Sequence, residues 1–415
     1  MNTVYLIGTA CTRFGKRPEM GFKELTEEVY TKVIADAGLA QTDDIEQAWF
    51  GNSGMASFGQ SSVRGQVCFT PLISKGQFPE RVPIINVEAG CGTGGLAFHG
   101  AWKDIVSGQC DLALAVGVEK IHVPNNPRVT QEIFAGGIDQ LDPELWRDYY
   151  HRAGQIAGKP FVADGGSLFM NTYAVQAAYH MKKYGTTRYQ IAAGASKNHA
   201  MGALNPLAQY QFNLSIDEVL NDREVSWPLT RAMCAPIGDG AAAVLLCSER
   251  YLHGLPGEVR ERAIKVLGSA LSGGKYRDFD EPGLSQSAAR KAYQLADVGP
   301  DRVDVAELHD ATSFGEIYQC EMLGFCGPGD GGEFVGSGAS GIDGTVAVNL
   351  SGGLVSKGHP IAATGLSMIH ELTLQLRGEA GARQSKSARI GVAQNAGGVI
   401  GFDEALCAVT VLATT

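Results

Sequence analysis

Residues 42–54 read TDDIEQAWFGNSG, and residues 300–313 read PDRVDVAELHDATS. Each is an acidic turn, an apolar run of strand length and a polar loop. Each also follows a stretch with apolar residues three to four apart, FKELTEEVYTKVIADAGL at 22–39 and GLSQSAARKAYQLADVG at 283–299. The order continues in both places. VPIINVEAG, a helix-like segment and DLALAVGVEK follow the first copy; GTVAVNLSGG, AATGLSMIHELTLQLRG and ARIGVAQNAGG follow the second. Two copies of a strand, loop, helix, strand unit about 260 positions apart predict an α/β protein of two similar halves packed together.

The halves are unequal. Between VGVEK, ending at 120, and GAAAVLLCSE at 240–249 lies a long segment with no counterpart in the second copy. This places an inserted loop subdomain over about 121–238 within a first half of 1–262, and a second half, 263–415, opening on the strand AIKVLGSAL. The insertion carries the helix-like TYAVQAAYHMKKYG and TRYQIAAGASKNHAMG, separated by polar loops, and suits a lid over a site shared by both halves.

Composition excludes several classes. A chain of 415 residues, 44% of them hydrophobic, can bury a large core. A net charge of −10, with 34 Lys and Arg in no long run, excludes a phosphate-backbone surface, so nucleic acid is not the expected partner. The apolar N-terminal stretch is short and soon meets Arg13 and Lys16, which reads as a buried first strand and not as a signal or membrane span. Nine cysteines form no CxxC pair and no tight Cys/His cluster, which predicts neither disulfides nor a metal site and fits a reducing cytoplasm.

Cysteine 91 stands among glycines in IINVEAGCGTGGLAFHG at 84–100, between a strand and a helix. Gly90, Gly92 and Gly95 satisfy the letters of a dinucleotide-binding turn, although the motif lies deep in the chain and a cysteine holds the place where backbone must approach a pyrophosphate. A second match, Gly336, Gly338 and Gly341, is followed by a strand and not by a helix. A thiol at a helix N-terminus faces unpaired N–H groups that favour thiolate, while a free cysteine is also commonly a small buried hydrophobe. The second copy separates these readings. Its corresponding loop, NLSGGLVSKGHPIAATG at 349–365, delivers His359 to a helix start, the pseudo-symmetric partner of the Cys91 position, where it can serve the thiol as a base.

At NVEAGCGTGGLAFHGAWKDIVSGQCDLALAVGVEK, HDATSFGEI and NLSGGLVSKGHPIAATG the sequence resembles the thiolase superfamily, most of all its sterol-carrier-protein-2 type, and the resemblance runs nearly end to end. It implies the five-layered αβαβα thiolase fold, a homodimer or dimer of dimers, acyl-CoA substrates, coenzyme A as co-substrate and no permanently bound cofactor. It matches Cys91 to the acylated nucleophile and His359 to the histidine that activates it and helps bind the thioester oxygen. It matches His309 to the histidine completing the first oxyanion hole, and the backbone of Cys91 with Gly397 and Gly398 to the second. Ser356, and Asn198 and His199 in SKNHAMGALNP, fall in loops that lie near substrate in such enzymes. The reaction implied is ping-pong thiolysis of a 3-oxoacyl-CoA.

The chain departs from this pattern at the acid/base. Where relatives carry a second cysteine, it has Asn395 in VAQNAGG and Ala311 in HDAT, and neither exchanges a proton usefully near neutral pH. Cys320 and Cys326 stand nearby in a probable helix and a turn. The proton transfer then falls to His359 or to a water held by His309 and Asn395. Three readings follow: a degradative thiolase for a branched or aromatic substrate, a carbon–carbon bond-forming or aldol-type relative, and a non-catalytic subunit. The resemblance also implies a small zinc-ribbon and OB-fold partner protein.

Overall fold

The computed structural model describes residues 2–163 and 167–415. Twelve strands are present among them: β1 Val4–Cys11, β2 Gln47–Gly51, β3 Ile84–Val87, β4 Leu112–Glu119, β5 Glu224–Ser226, β6 Leu229–Thr230, β7 Gly240–Ser248, β8 Ile264–Gly273, β9 Val305–Leu308, β10 Ala347–Val348, β11 Ile390–Gly397 and β12 Leu406–Thr414. All but the hairpin β5–β6 join in one order, β10-β9-β11-β12-β8-β1-β7-β4-β2-β3. Outward from the β8–β1 junction the two arms carry the same pattern. β7 and β12 run antiparallel to their neighbours, whereas β4-β2-β3 and β11-β9-β10 are parallel. Only three residue pairs, from Val4↔Val266 to Leu6↔Ile264, join the arms, so each behaves as a separate five-stranded layer.

Ten helices of eight or more residues are present among the described residues: α1 Phe22–Asp36, α2 Arg64–Ser74, α3 Thr93–Ser107, α4 Pro127–Ala135, α5 Pro143–Ala157, α6 Leu168–Tyr184, α7 Arg188–Ala203, α8 Leu284–Ala296, α9 Ser313–Met322 and α10 Thr364–Arg377. Strand periodicity sorts them into layers. On β4, Leu114, Val116 and Val118 join α1 and α2 in one core, while Ala113 and Ala115 face the opposite way. Those alanines pack with Phe98 and Ile105 of α3, and with Leu366, Ile369 and Leu372 of α10, against strands of both arms. Val409 and Val411 of β12 meet α8 and α9 on the other outer face. The result is helix, sheet, helix pair, sheet, helix, the five layers that the resemblance implied. Helices α4–α7 and the β5–β6 hairpin lie between β4 and β7.

The middle layer is narrowest where its two helices begin, because glycines stand there. A Cβ on Gly94 would lie 2.8 Å from Gly365 N, and one on Gly365 would lie 2.4 Å from Gly95 N. The first turns of α3 and α10 therefore touch backbone to backbone. A Cβ on Gly117 of β4 would sit 2.1 Å from Ala362 O, so the sheet closes on the same point. Gly365→Ala should destabilise the protein by about 3 kcal/mol in urea unfolding, since the added methyl would meet both the backbone of Gly95 and the buried, hydrogen-bonded amide of Asn395. Gly257→Ala, whose Cβ would meet only Arg260 Nη2 at 3.9 Å, should leave the midpoint in place.

Candidate active site

The loops that open α3 and α10 carry the chemistry. Cys91 sits in a tight turn, Gly90–Gly92, whose first residue has φ +51 and is folded by Thr93. Thr93 Oγ1 donates to Gly90 O at 2.6 Å and accepts from Ala89 N–H at 2.9 Å. In the second arm, Gly358 at φ +108 turns the chain so that His359 and Pro360 precede α10, a backbone state that a side chain would strain. The pairing inferred from the repeat is present in space: Cys91 Sγ lies 3.1 Å from His359 Nε2.

Hydrogen bonds determine the tautomer of His359. Thr364 Oγ1, 2.7 Å from His359 Nδ1, donates its own proton to Pro360 O at 3.0 Å. It must therefore accept from Nδ1–H, which leaves the Nε2 lone pair facing the Cys91 thiol. His309, just after β9, lies with its ring centroid 5.1 Å from that of His359, and its backbone N–H donates to Gln394 Oε1 at 2.9 Å. The ligand atoms of Cys91, His309 and His359 all lie within 4.8 Å of one another, a donor set that a soft divalent metal could use.

Electrostatics correct one expectation. The thiol does not rest as thiolate: burial, with the carboxylate of Glu119 next, pushes Cys91 up to about 12, and hydrogen bonding to its own backbone N–H offsets little of this. Burial holds His359 well below the usual imidazole range, followed by His309 and Lys357, and takes His309 down to about 4. Cys91 is 9% exposed and His359 7%, so little water reaches either to stabilise charge. The resting pair is a neutral thiol hydrogen-bonded to a neutral imidazole. Glu119 is itself pushed up to about 7 by burial, although the N–H groups of Ser53 and Gly54 favour its carboxylate.

The remaining candidates fall into two groups. Asn395 and the Gly397–Gly398 segment at the end of β11 lie against the Cys91 turn. A Cβ on Gly397 would meet Cys91 N at 2.3 Å, and one on Gly90 would meet Gly398 N at 2.9 Å. These contacts also settle the dinucleotide reading of Gly90, Gly92 and Gly95, because strand β11 and Asn395 fill the space that a pyrophosphate would need. Asn395 touches His309 directly, with Nδ2 3.4 Å from Nδ1, and its other amide hydrogen goes to Cys91 O at 2.9 Å.

Ser356, Asn198 and His199 are engaged elsewhere. Ser356 donates to Tyr210 O at 3.0 Å, and Asn198 donates to Asp310 at 2.8 Å and Glu316 at 2.9 Å. His199 Nε2 lies 3.1 Å from Ala232 O, and its ring stacks on Phe212. Ser356 and Asn198 thereby tie the inserted segment to the histidine loops, whereas His199 bonds and stacks within that segment. Cys320 is buried in the α8–α9 layer. Thr364 was missed by sequence reasoning, yet the repeat held the signal, since Thr93 and Thr364 are the first residues of α3 and α10.

An apolar wall surrounds the sulfur. Ile121, Val129, Ile133 and Ile361 form one cluster with Cys91, and Val123 and Phe134 pack on it. Val123 and Phe134 also line a cleft of about 840 Å³, with Phe169, Tyr210, Arg223 and Arg231 on its other sides. A neutral resting thiol has a measurable consequence. Alkylation of Cys91 by iodoacetamide, followed by peptide mass, should keep climbing through about pH 9 with no earlier plateau. Glu119→Gln removes a neighbouring negative charge and should move that rise to lower pH; levelling off near neutrality in the unaltered protein would reveal a resident thiolate.

Comparison with known proteins agrees with this geometry. Residues 4–216 match the family model "Thiolase, N-terminal domain", and residues 274–409 match "Thiolase C-terminal domain-like". The acetyl-CoA acetyltransferase of Methanothermobacter thermautotrophicus is 34% identical over 406 residues, covering 97% of this chain and 98% of that protein. Sterol carrier protein 2 of Bos taurus is 33% identical, covering 95% and 70%. Benzoylsuccinyl-CoA thiolase subunit BbsB of Thauera aromatica is 30% identical, covering 91% and 89%. Among solved structures, the Ltp2-ChsH2(DUF35) aldolase superposes with a TM-score of 0.77 at 19% identity, covering 100% of this chain and 98% of that one, a likeness of fold. The chain belongs to the thiolase family of acyl-CoA acyltransferases.

Proposed function

We propose that the protein cleaves a bulky 3-oxoacyl-CoA, branched or aromatic in its acyl part, by CoA-dependent thiolysis through an acyl-Cys91 intermediate. The observation that carries this is the 3.1 Å contact between Cys91 Sγ and the bare Nε2 of His359, with His309 alongside. As Sγ attacks the keto carbon, its proton passes to His359 Nε2, and the developing oxyanion is held by the backbone N–H groups of the Cys91 turn and the Gly397–Gly398 segment. The bond to the α-carbon then breaks. The departing enolate's thioester oxygen faces the two histidines, and the proton held on His359 is delivered to the α-carbon. That route needs no second cysteine, which fits Ala311 and Asn395. In the return half, CoA attacks the acyl-Cys91, its thiol proton passes through His359, and Cys91 is restored.

The apolar wall of Ile121, Val129, Ile133 and Phe134 supports a bulky acyl group, as does the relative that acts on benzoylsuccinyl-CoA. The cleft of about 840 Å³ is suited to the pantetheine arm, with Arg223 and Arg231 for the CoA phosphates. A homodimer or dimer of dimers is supported by β3, a sheet-edge strand with half-buried Ile85, Asn86 and Val87. A small zinc-ribbon and OB-fold partner is supported by the relative named as a subunit and by the solved complex of Ltp2 with ChsH2(DUF35). The nine free cysteines suit a reducing cytoplasm, and no helix among the described residues is long and apolar enough to cross a membrane.

A second reading, aldol-type cleavage, is favoured by the missing second cysteine and differs in forming no acyl-enzyme. Intact mass decides between them. Incubation with 3-oxoacyl-CoAs should give an adduct on Cys91 that is absent in Cys91→Ser and discharged by CoA, whereas cleavage without an adduct would establish the aldol reading. Thr364→Val removes the acceptor that holds Nδ1–H of His359 and should slow adduct formation about tenfold or more in stopped-time mass measurements.

A further inference from the structure

Asn395 is 2% exposed and makes three side-chain contacts, two of them to backbone groups whose polarity is not in question. Its Oδ1 lies 3.0 Å from Gly95 N, a donor, and its Nδ2 lies 2.9 Å from Cys91 O, an acceptor. Only one orientation of the amide satisfies both. The oxygen is held further by its position, since a Cβ on Gly365 would come within 2.3 Å of it, placing Oδ1 between the first turns of α3 and α10. Both turns present the positive ends of their helices. With the amide so fixed, the second hydrogen on Nδ2 points to Nδ1 of His309 at 3.4 Å. A nitrogen that accepts cannot also carry a proton in a neutral imidazole, so the proton of His309 stands on Nε2. Nε2 is buried and has no hydrogen-bond partner among the described residues, and the His309 ring presents a nitrogen within 4.8 Å of Sγ.

We infer that Asn395 is a positioning residue that locks His309 in the Nε2–H tautomer, opposite to that of His359, making it a fixed donor into the site and withholding its lone pair from metal. The donor half of this inference rests on the thiolase reading; the tautomer and metal halves rest on the hydrogen bonds alone. His359 receives its proton from the thiol and becomes a donor only when reaction begins, whereas His309 is a donor beforehand. The same lock answers a hazard. Cys91 Sγ and His359 Nε2 supply two ligands, and Thr364 already accepts from Nδ1–H of His359 in the manner of a group behind a metal-bound histidine. The third ligand is missing only because Nε2 of His309 holds a proton.

The test exchanges donor for acceptor. In Asn395→Asp, a carboxylate favoured by the same two helix ends accepts from Nδ1–H of His309 and turns the Nε2 lone pair toward Sγ. Titration with Co²⁺ should then give a thiolate-to-cobalt charge-transfer band, with affinity about 10- to 100-fold above that of the unaltered protein. The band should vanish when Cys91→Ser is added. Equal Co²⁺ affinity in the two proteins would overturn the inference. Because the carboxylate also loses the donor to Cys91 O, the variant can fail to fold, and imidazole ¹⁵N shifts in the unaltered histidine-labelled protein provide the second measurement. Assigned with His309→Gln and His359→Gln, they should show a bare Nδ1 and protonated Nε2 for His309 and the reverse for His359; a proton on Nδ1 of His309 would refute the lock. Neither readout uses CoA, so the expected spectra without any acyl adduct on Cys91 would defeat the thiolase reading and leave the tautomer assignment standing.

Discussion

The first turns of α3 and α10 meet without side chains between them. Gly94, Gly95 and Gly365 allow the two helices to approach at backbone distance, and the turns before them are thereby placed face to face. Cys91 belongs to one turn and His359 to the other, which is why residues 268 positions apart share a hydrogen bond. A Cβ at this junction would separate the sulfur from its base as surely as it would disturb the packing. The glycines around Cys91 thus answer first to the other half of the protein.

The same closeness governs charge. Two helix N-termini directed at one point would favour an anion, and a cysteine there invites the expectation of a thiolate. Burial wins because the turn is sealed by β11, Ile361 and the apolar residues that follow β4, and because Glu119 lies close behind. The amide oxygen of Asn395 also takes a Gly95 N–H group that would otherwise face the site. The sulfur and its base therefore rest uncharged, and charge separates only when a substrate is present to receive it. This arrangement protects the thiol from adventitious alkylation and oxidation.

The inserted segment bears on the site through its attachments. Asn198 on α7 bridges Asp310 and Glu316, and Asp310 in turn accepts from Leu354 N–H ahead of His359. Lys197 pairs with Glu316 at 2.8 Å, and Ala235 N–H donates to Ala311 O at 2.9 Å. These polar bonds join the His309 loop, the His359 loop and the inserted segment. The inserted segment so fastened supplies Tyr210, Arg223 and Arg231 to the walls of the cleft.

Much of this was legible in the chain. The repeat determined two α/β halves and the pairing of the Cys91 and His359 loops, because tandem copies of one unit pack by a pseudo-two-fold and carry equivalent positions to one place. The letters around Cys91 identified a thiol in a tight turn, and the missing second cysteine could be read from Asn395 and Ala311 directly. The protonation state of the thiol, the opposite tautomers of the two histidines and the engagement of Asn198, His199 and Ser356 in packing could not be read. Each depends on burial or on a single donor or acceptor contributed from elsewhere in the fold. Gly95 N–H, for example, lies 300 positions from the amide it orients. Periodicity and spacing say which residues meet; only the folded backbone says which atom of each carries the proton.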